Sequence, residues 1–151
     1  NFQFMPRTIR NYAIDYNNNK TIELKKTEDS FASAANYLKT IGWKKNQPCY
    51  FKVDLKDNIP KKYLNSSARN IKNKKNINYL KKYIKDNKNL DLIKNLNAAI
   101  IIPDKDIIPG SQTLYPAYIV FENYEKILNW NRSLRFALAV CSLKDKIKKE
   151  I

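Results

Sequence analysis

The sequence predicts an α+β fold that is predominantly helical, with a small antiparallel β segment inserted between residues 44 and 121. Three patterns predict it. Phe31, Ala34, Ala35, Leu38 and Ile41 recur at helical spacing. Cys49, Phe51, Val53 and Leu55 alternate with Tyr50, Lys52 and Asp54, the signature of a half-buried strand. After residue 121 the helical period returns, with Ala137, Val140, Cys141 and Leu143 among the apolar positions of a helix over 134–147.

Each element has a local reason. Pro6 suits the first turn of a helix, where a missing N–H costs nothing, so a short helix runs over 7–14. Residues 15–23 form a polar loop rich in Asn. Thr27 is the expected N-cap of the next helix, 28–41, with Glu28 and Asp29 favourable in its first turn. Gly42 ends that helix as a left-handed cap, and Trp43 anchors the turn. Residues 58–75 are highly polar and read as a surface excursion. Ile77, Leu80 and Ile84 predict a short amphipathic helix ending before Asn89. The apolar run 98–102, bounded by Pro103, reads as a buried strand. Pro109-Gly110 marks a turn, and the aromatic and β-branched stretch 113–121 pairs with the strand before it, with Pro116 suggesting an edge. A short helix over 123–130 follows, then Ser133 as N-cap of the last helix. The Lys-rich tail after Asp145 is a solvated end.

Composition narrows the functional classes. With 151 residues the chain can build one domain with a real core. Its 29 basic and 14 acidic residues give a net charge of +15, which would suit nucleic acid, an anionic membrane or an acidic polymer. The excess is mostly Lys interleaved with Asn and Ile throughout, so it reads as compositional bias first and a binding patch second. The absence of His excludes Ser-His and Cys-His dyads, and two Cys without His cannot complete a usual zinc site. Two glycines exclude a dinucleotide fingerprint or a phosphate-cradling loop. Cys49 and Cys141 could pair if the chain is exported, but they read first as two small buried apolar residues. No apolar run approaches the roughly 20 residues of a membrane span. The chain starts at Asn1 and its single Met is Met5, so the expectation is a processed or partial chain.

The ordered motifs carry more. Gln3-Phe4-Met5-Pro6 leads into Asp15-Tyr16-Asn17-Asn18-Asn19 and then Asn36-Tyr37 and Gly42-Trp43. Near the end stands ENYEKILNWNRSLRFALAV, with an Asn-aromatic start, an aromatic-Asn pair, a Ser, and an aromatic-Ala-x-Ala-Val helix. Both stretches, in this order, resemble the lytic murein transglycosylase B family; residues 1–43 match well, 121–143 match again, and the middle matches only loosely. The resemblance implies the C-terminal part of a lysozyme-like core in 1–43, a β-containing insertion in 44–120, and returning helices of the same domain in 121–151.

It also implies roles for particular residues. Gln3 would hydrogen-bond a sugar hydroxyl or acetamido group, and Trp130 with Asn131 would supply an aromatic plate and an amide facing the same groove. The competing reading of Trp130 is a core residue. The family has a tyrosine where this chain has Trp130, and Phe136 lacks the hydroxyl of its counterpart. Asp15, Asn17, Asn19 and Thr21 occupy positions one, three, five and seven of a calcium loop, which the family completes with a carboxylate matching Asp29. Where a standard loop has Gly at six and Glu at twelve this chain has Lys20 and Lys26, so the expectation is weak calcium binding or an Asn-rich turn without an ion, and no required cofactor. The implied partner is the peptidoglycan glycan strand, and the implied place is the periplasm or cell envelope of a bacterium. The family's catalytic glutamate precedes the Gln3 motif, so no catalytic residue is expected within 1–151; a missing N-terminal segment would carry it. Glu23, Glu28, Glu122, Glu125 and Glu150 match no such position. A basic nucleic-acid-binding module is the alternative, but no nucleic-acid motif is present and such a partner is not expected.

Overall fold

The computed structural model describes residues 2–105 and 114–150; the expected Pro109-Gly110 turn and Thr113 lie outside the described residues. The chain divides into two compact units, Asn1–Lys45 and Asn46–Ile151. The fold is α+β, as predicted.

The first unit is a pair of helices, α1 (Pro6–Tyr12) and α2 (Thr27–Thr40), joined by the Asn-rich loop. Pro6 takes the first helical position of α1, as its missing N–H allows. Thr27 is not the cap of α2: it is the first helical residue, Lys26 precedes it, and the Lys26 side chain makes no capping hydrogen bond. Gly42 does end α2, at φ 93°, and the Trp43 N–H reaches back to the Leu38 carbonyl at 2.9 Å. The buried face of α2 differs from the expected one. Asp29, Ser30, Ser33, Ala34 and Tyr37 are buried, whereas Ala35 is exposed and Phe31 is 60 % exposed. Polar contacts explain the rotation. Ser33 Oγ accepts from the Ile14 N–H at 3.0 Å, and Asn36 donates to the Tyr12 carbonyl at 2.9 Å, with the Tyr12 and Tyr37 rings edge-on at 5.0 Å.

The second unit is built on a sheet of β1 (Tyr50–Val53), β2 (Leu64–Asn65), β3 (Lys75–Asn76), β4 (Asn97–Ile101) and β5 (Ala117–Val120). The order is β1-β5-β4-β2, with β3 also on β4. The sheet is mixed: β1–β5, β4–β5 and β3–β4 are antiparallel, and β2–β4 is parallel. β5 pairs with β4 as expected, but it is central rather than at an edge. Pro116 is compatible with that place because it precedes the paired residues, which start at Ala117, so no ladder N–H is lost. Ile100 and Ile119 stand opposite one another and pack with Val53, Leu55, Ile77, Leu80 and Ile84 in one core. Ala99, Ile101 and Val120 point to the other face and are buried too, which is why 98–102 reads as a continuous apolar run.

The polar stretch 58–75 is more than a surface excursion. Ile59, Tyr63, Asn65 and Ile71 are buried, and β2 within it joins the sheet. Asn65 makes that possible. Its amide donates to the carbonyls of Lys72 and Ile100 at 3.1 and 2.9 Å, and its oxygen accepts the Lys72 N–H at 2.8 Å. The Ile77, Leu80 and Ile84 pattern forms α3 (Ile77–Leu80) followed by a 3-10 turn, all three side chains fully buried.

Two helices close the unit, α4 (Glu122–Trp130) and α5 (Leu134–Glu150). Ser133 caps α5 as expected, its Oγ accepting the Phe136 N–H at 3.2 Å. Tyr124 is fully buried, burial pushes its phenol well up, and its hydroxyl donates to the Leu134 carbonyl at 2.7 Å. Cys49 and Cys141 are not two unlinked apolar residues: they form a disulfide, with Cα atoms 5.9 Å apart and both side chains buried. The pairing follows from placement, because Cys49 just precedes β1 and Cys141 lies on the buried face of α5.

Candidate functional site

The sequence-derived residues fall in both units. Gln3 lies exposed in the first unit, in the extended segment before α1, between Phe2 and Phe4. Around it the Phe2 ring meets the Phe4 ring at 6.0 Å and the Phe31 ring at 5.0 Å, edge-on.

Trp130 and Asn131 stand together in the second unit, at the turn from α4 to α5. Trp130 is half-buried, so neither the plate nor the core reading takes the whole side chain; Asn131 is exposed. The turn is fixed by its backbone. The Asn131 N–H donates to the Ile127 carbonyl at 3.0 Å, and its own carbonyl accepts the Ser133 N–H at 2.8 Å. Beneath it lie the Ser133 cap and the Tyr124 hydroxyl on Leu134. The Asn131 amide is thus presented from a backbone clamped on both sides.

The loop from Asp15 folds over its own oxygens. Asp15 accepts the N–H groups of Asn19 and Lys20 at 3.2 and 2.7 Å, Asn17 accepts Asn19 at 3.1 Å, and Asn19 accepts Thr21 at 2.8 Å. Asn18 and Lys20 take positive φ, 59° and 67°; Lys20 does so where a standard calcium loop has its glycine. Asp29 is buried, and its two oxygens accept Tyr16 N–H at 3.0 Å and Glu23 N–H at 2.7 Å. These bonds, the Glu23 one first, hold its carboxyl below the usual carboxylate range, aided by the nearby Lys26 charge. Asp29 thus fixes both ends of the loop to α2. The donors present are oxygens of the right kind for a hard cation, but only Asp15 and Asp29 are charged, and no cluster of three or more metal-ligating acids, histidines or cysteines occurs among the described residues.

No carboxylate among the described residues has the setting of a catalytic acid. Such a group must remain protonated near neutral pH, which takes burial or a like-charged neighbour. Asp29, the buried one, is shifted the opposite way. Glu125 is bound by Lys74 through both oxygens at 2.9 Å, Glu122 lies 3.6 Å from Lys126, and Asp104 lies 2.7 Å from Arg135. Glu28 and Glu150 are exposed, and Glu23 is paired with Lys26 at 2.6 Å.

A family profile described as "Transglycosylase SLT domain" matches residues 1–145. The chain belongs to this family. The transglycosylase SLT family is one of glycoside-cleaving lyases, and this member is similar to several solved lytic transglycosylases. SltB3 from Pseudomonas aeruginosa, crystallised in complex with NAG-NAM-pentapeptide, is 29 % identical with a TM-score of 0.77, over 97 % of this chain and 37 % of that one. The soluble lytic transglycosylase SltB1 from the same organism is 20 % identical with a TM-score of 0.72, over 98 % of this chain and 46 % of that one. Escherichia coli Slt35, in a structure with calcium, is 23 % identical with a TM-score of 0.69, over 98 % of this chain and 43 % of that one. The last two likenesses are of fold. The chain thus spans less than half the length of the proteins it matches. None of the curated proteins matches it.

One cluster escaped the sequence reading. Tyr63, Tyr79 and Tyr83 meet with lysines around them. The available signal was a tripeptide, Lys-Lys-Tyr, at 61–63 and again at 81–83, too short for periodicity to flag.

Proposed function

We propose that this chain is the saccharide-binding portion of a peptidoglycan lytic transglycosylase, an enzyme that cleaves the MurNAc–GlcNAc bond without hydrolysis and leaves a 1,6-anhydro product. The observation that carries the reading is the transglycosylase match over residues 1–145, which takes in both the Gln3 motif and the Trp130-Asn131 turn. In this reading Gln3, Trp130 and Asn131 contact glycan, the ring covering an apolar sugar face and the amides bonding its polar groups. The bond-breaking proton comes from an acid outside residues 1–151, since no described carboxylate suits that task. The place of action is the cell envelope; the buried Cys49–Cys141 disulfide supports it, because such bonds persist in oxidising compartments.

Two measurements test this. Titration with a peptide-free glycan strand should give weak binding that Trp130→Ala reduces about tenfold. Purified chain incubated with murein sacculi should release no anhydromuropeptides by mass spectrometry. Product that vanishes on mutating one carboxylate within the chain would overturn the division of labour, and binding indifferent to Gln3, Trp130 and Asn131 would overturn the site.

The Asp15 loop, in the same reading, binds calcium far more weakly than a sensor loop, whose dissociation constants run ~10⁻⁷–10⁻⁵ M. Lys20 adds a positive charge to the loop, and only Asp15 and Asp29 offset the cation. Calorimetry showing sub-micromolar binding, lost in Asp15→Ala, would refute this.

A further inference from the structure

The two Lys-Lys-Tyr tripeptides each wind a single 3-10 turn, Lys61–Tyr63 and Lys81–Tyr83. The turns bring the Tyr63 and Tyr83 rings to 5.9 Å, and Tyr79 from α3 completes a triangle at 5.9 and 6.1 Å. The Tyr63 and Tyr79 hydroxyls are hydrogen-bonded at 3.0 Å. Tyr63 is buried at the base and Tyr79 is 38 % exposed. Lysines stand over the rings: Lys82 Nζ lies 3.7 Å from the Tyr79 centroid and 4.9 Å from that of Tyr83, Lys62 lies 5.3 Å from Tyr63, and Lys75 lies 5.9 Å from Tyr79.

The way these ammonium groups are held decides what they can do. A salt bridge fixes a lysine and cancels its charge. A ring face attracts the ammonium through its quadrupole and leaves the charge intact. Nearby Lys74 and Lys81 are neutralised by Glu125 and Asp91. Among the described residues no carboxylate pairs with Lys62, Lys75 or Lys82. Three cations are thus gathered, positioned and left uncompensated. Some loss of hydration works against the Lys82 charge, but its interaction with the Tyr79 and Tyr83 side chains outweighs it and raises its pKa. The same network, led by the Tyr63 hydroxyl and then Tyr83 and Lys82, lowers Tyr79 to about 8. Because the lysines already cover the ring faces, the cluster does not offer a sugar a stacking plate. It offers positive charge.

We propose that the Tyr63–Tyr79–Tyr83 cluster with Lys62, Lys75 and Lys82 is an anion-binding site whose occupant is a peptide ending in a carboxylate. The choice of a peptide rests on the wall-polymer reading above; the demand for an anion does not. The test titrates the full chain with a pentapeptide bearing a free C-terminal carboxylate, with its C-terminal amide, and with inorganic phosphate, read by ultraviolet absorbance of ionising tyrosine. The free carboxylate should bind and move the low tyrosine transition up toward the ordinary value of about 10, because an anion at Lys82 offsets the charge that favours the phenolate. The amide should bind about tenfold more weakly or worse. Lys82→Gln, at an exposed position, should abolish the difference between the two peptides, and Tyr79→Phe should remove the low transition and so assign it. Equal binding of both peptides, an unaltered Lys82→Gln variant, or binding of phosphate in preference to the peptide would each overturn the proposal. A peptide-free glycan strand should bind the Lys82→Gln variant normally. Failure of that glycan binding in the unsubstituted chain counts against the saccharide reading and leaves this site standing.

Discussion

The two compact units are held together by different chemistry. In the first, α1 buries no residue at all, and the links to α2 are largely polar: Ser33 to Ile14, Asn36 to Tyr12, Asp29 to Tyr16 and Glu23. The second has β4 and β5 covered on both faces, an apolar cluster around Ile100 and Ile119, and a covalent tie from the start of β1 to α5. Hydrophobic burial is non-directional and scales with area, so the stability of the second unit is spread over many contacts. Side-chain-to-backbone bonds are directional, so the first depends on a few atoms staying where they are.

The largest expected effect is on the covalent tie. Replacing Cys49 and Cys141 by Ala opens a loop of 92 residues and should destabilise the second unit by about 2–5 kcal/mol. Hydrogen exchange during urea unfolding checks this. The amides of β4 and β5 should lose protection at lower urea, whereas the Ile14 and Tyr16 amides of the first unit should respond far less. Equal loss in both units would break the comparison.

The same contrast explains what was legible in the sequence. Apolar patterns were read well where burial is by area: β1, β4, α3, α5 and the Ser133 cap all stand where their periods put them. The face of α2 was misjudged because Ser30, Ser33 and Asp29 are buried in place of Phe31 and Ala35, and polar residues inside a helix face are invisible to a hydrophobic period. The stretch 58–75 looked like surface for the same reason, since one buried amide, Asn65, supplies the partners its backbone needs. Among the site residues, Asn131 was found exposed at a fixed turn, whereas the division of Trp130 between surface and core follows from packing that no local pattern encodes.

Asn65 tests whether the second unit too has a point of polar dependence. Asn65→Ala leaves the Ile100 and Lys72 carbonyls and the Lys72 N–H without that partner, and should cost about 1–3 kcal/mol. The loss should be local: amides of β2 and of 66–72 should exchange faster, with the β1–β5 ladder little changed. Global unfolding at the same urea as the disulfide variant would mean that the sheet itself, and not only its β2 edge, depends on one amide.

The smallest global effect, and the most local, is expected at Asp29. Its carboxyl sits below the ordinary range because the Glu23 and Tyr16 N–H groups bond the ionised form, with Lys26 adding attraction. An unfolded Asp titrates near 3.9, so folding favours the charged state. A depressed folded value contributes stability that is fully present above the unfolded pKa and lost as pH falls through the folded one. Acidification below about 4 should therefore free the Tyr16 and Glu23 amides first, while the Ile119 amide in the second unit stays protected. Asp29→Asn should loosen the loop already at neutral pH, since a neutral amide makes weaker bonds, and should remove its acid-dependent step. NMR-detected exchange at a series of pH values reads both effects. If the Tyr16 and Glu23 amides stayed protected at low pH, or if the Asn variant kept the acid step, Asp29 would not be the group that fixes the loop, and the polar account of the first unit would fail at its best-defined contact.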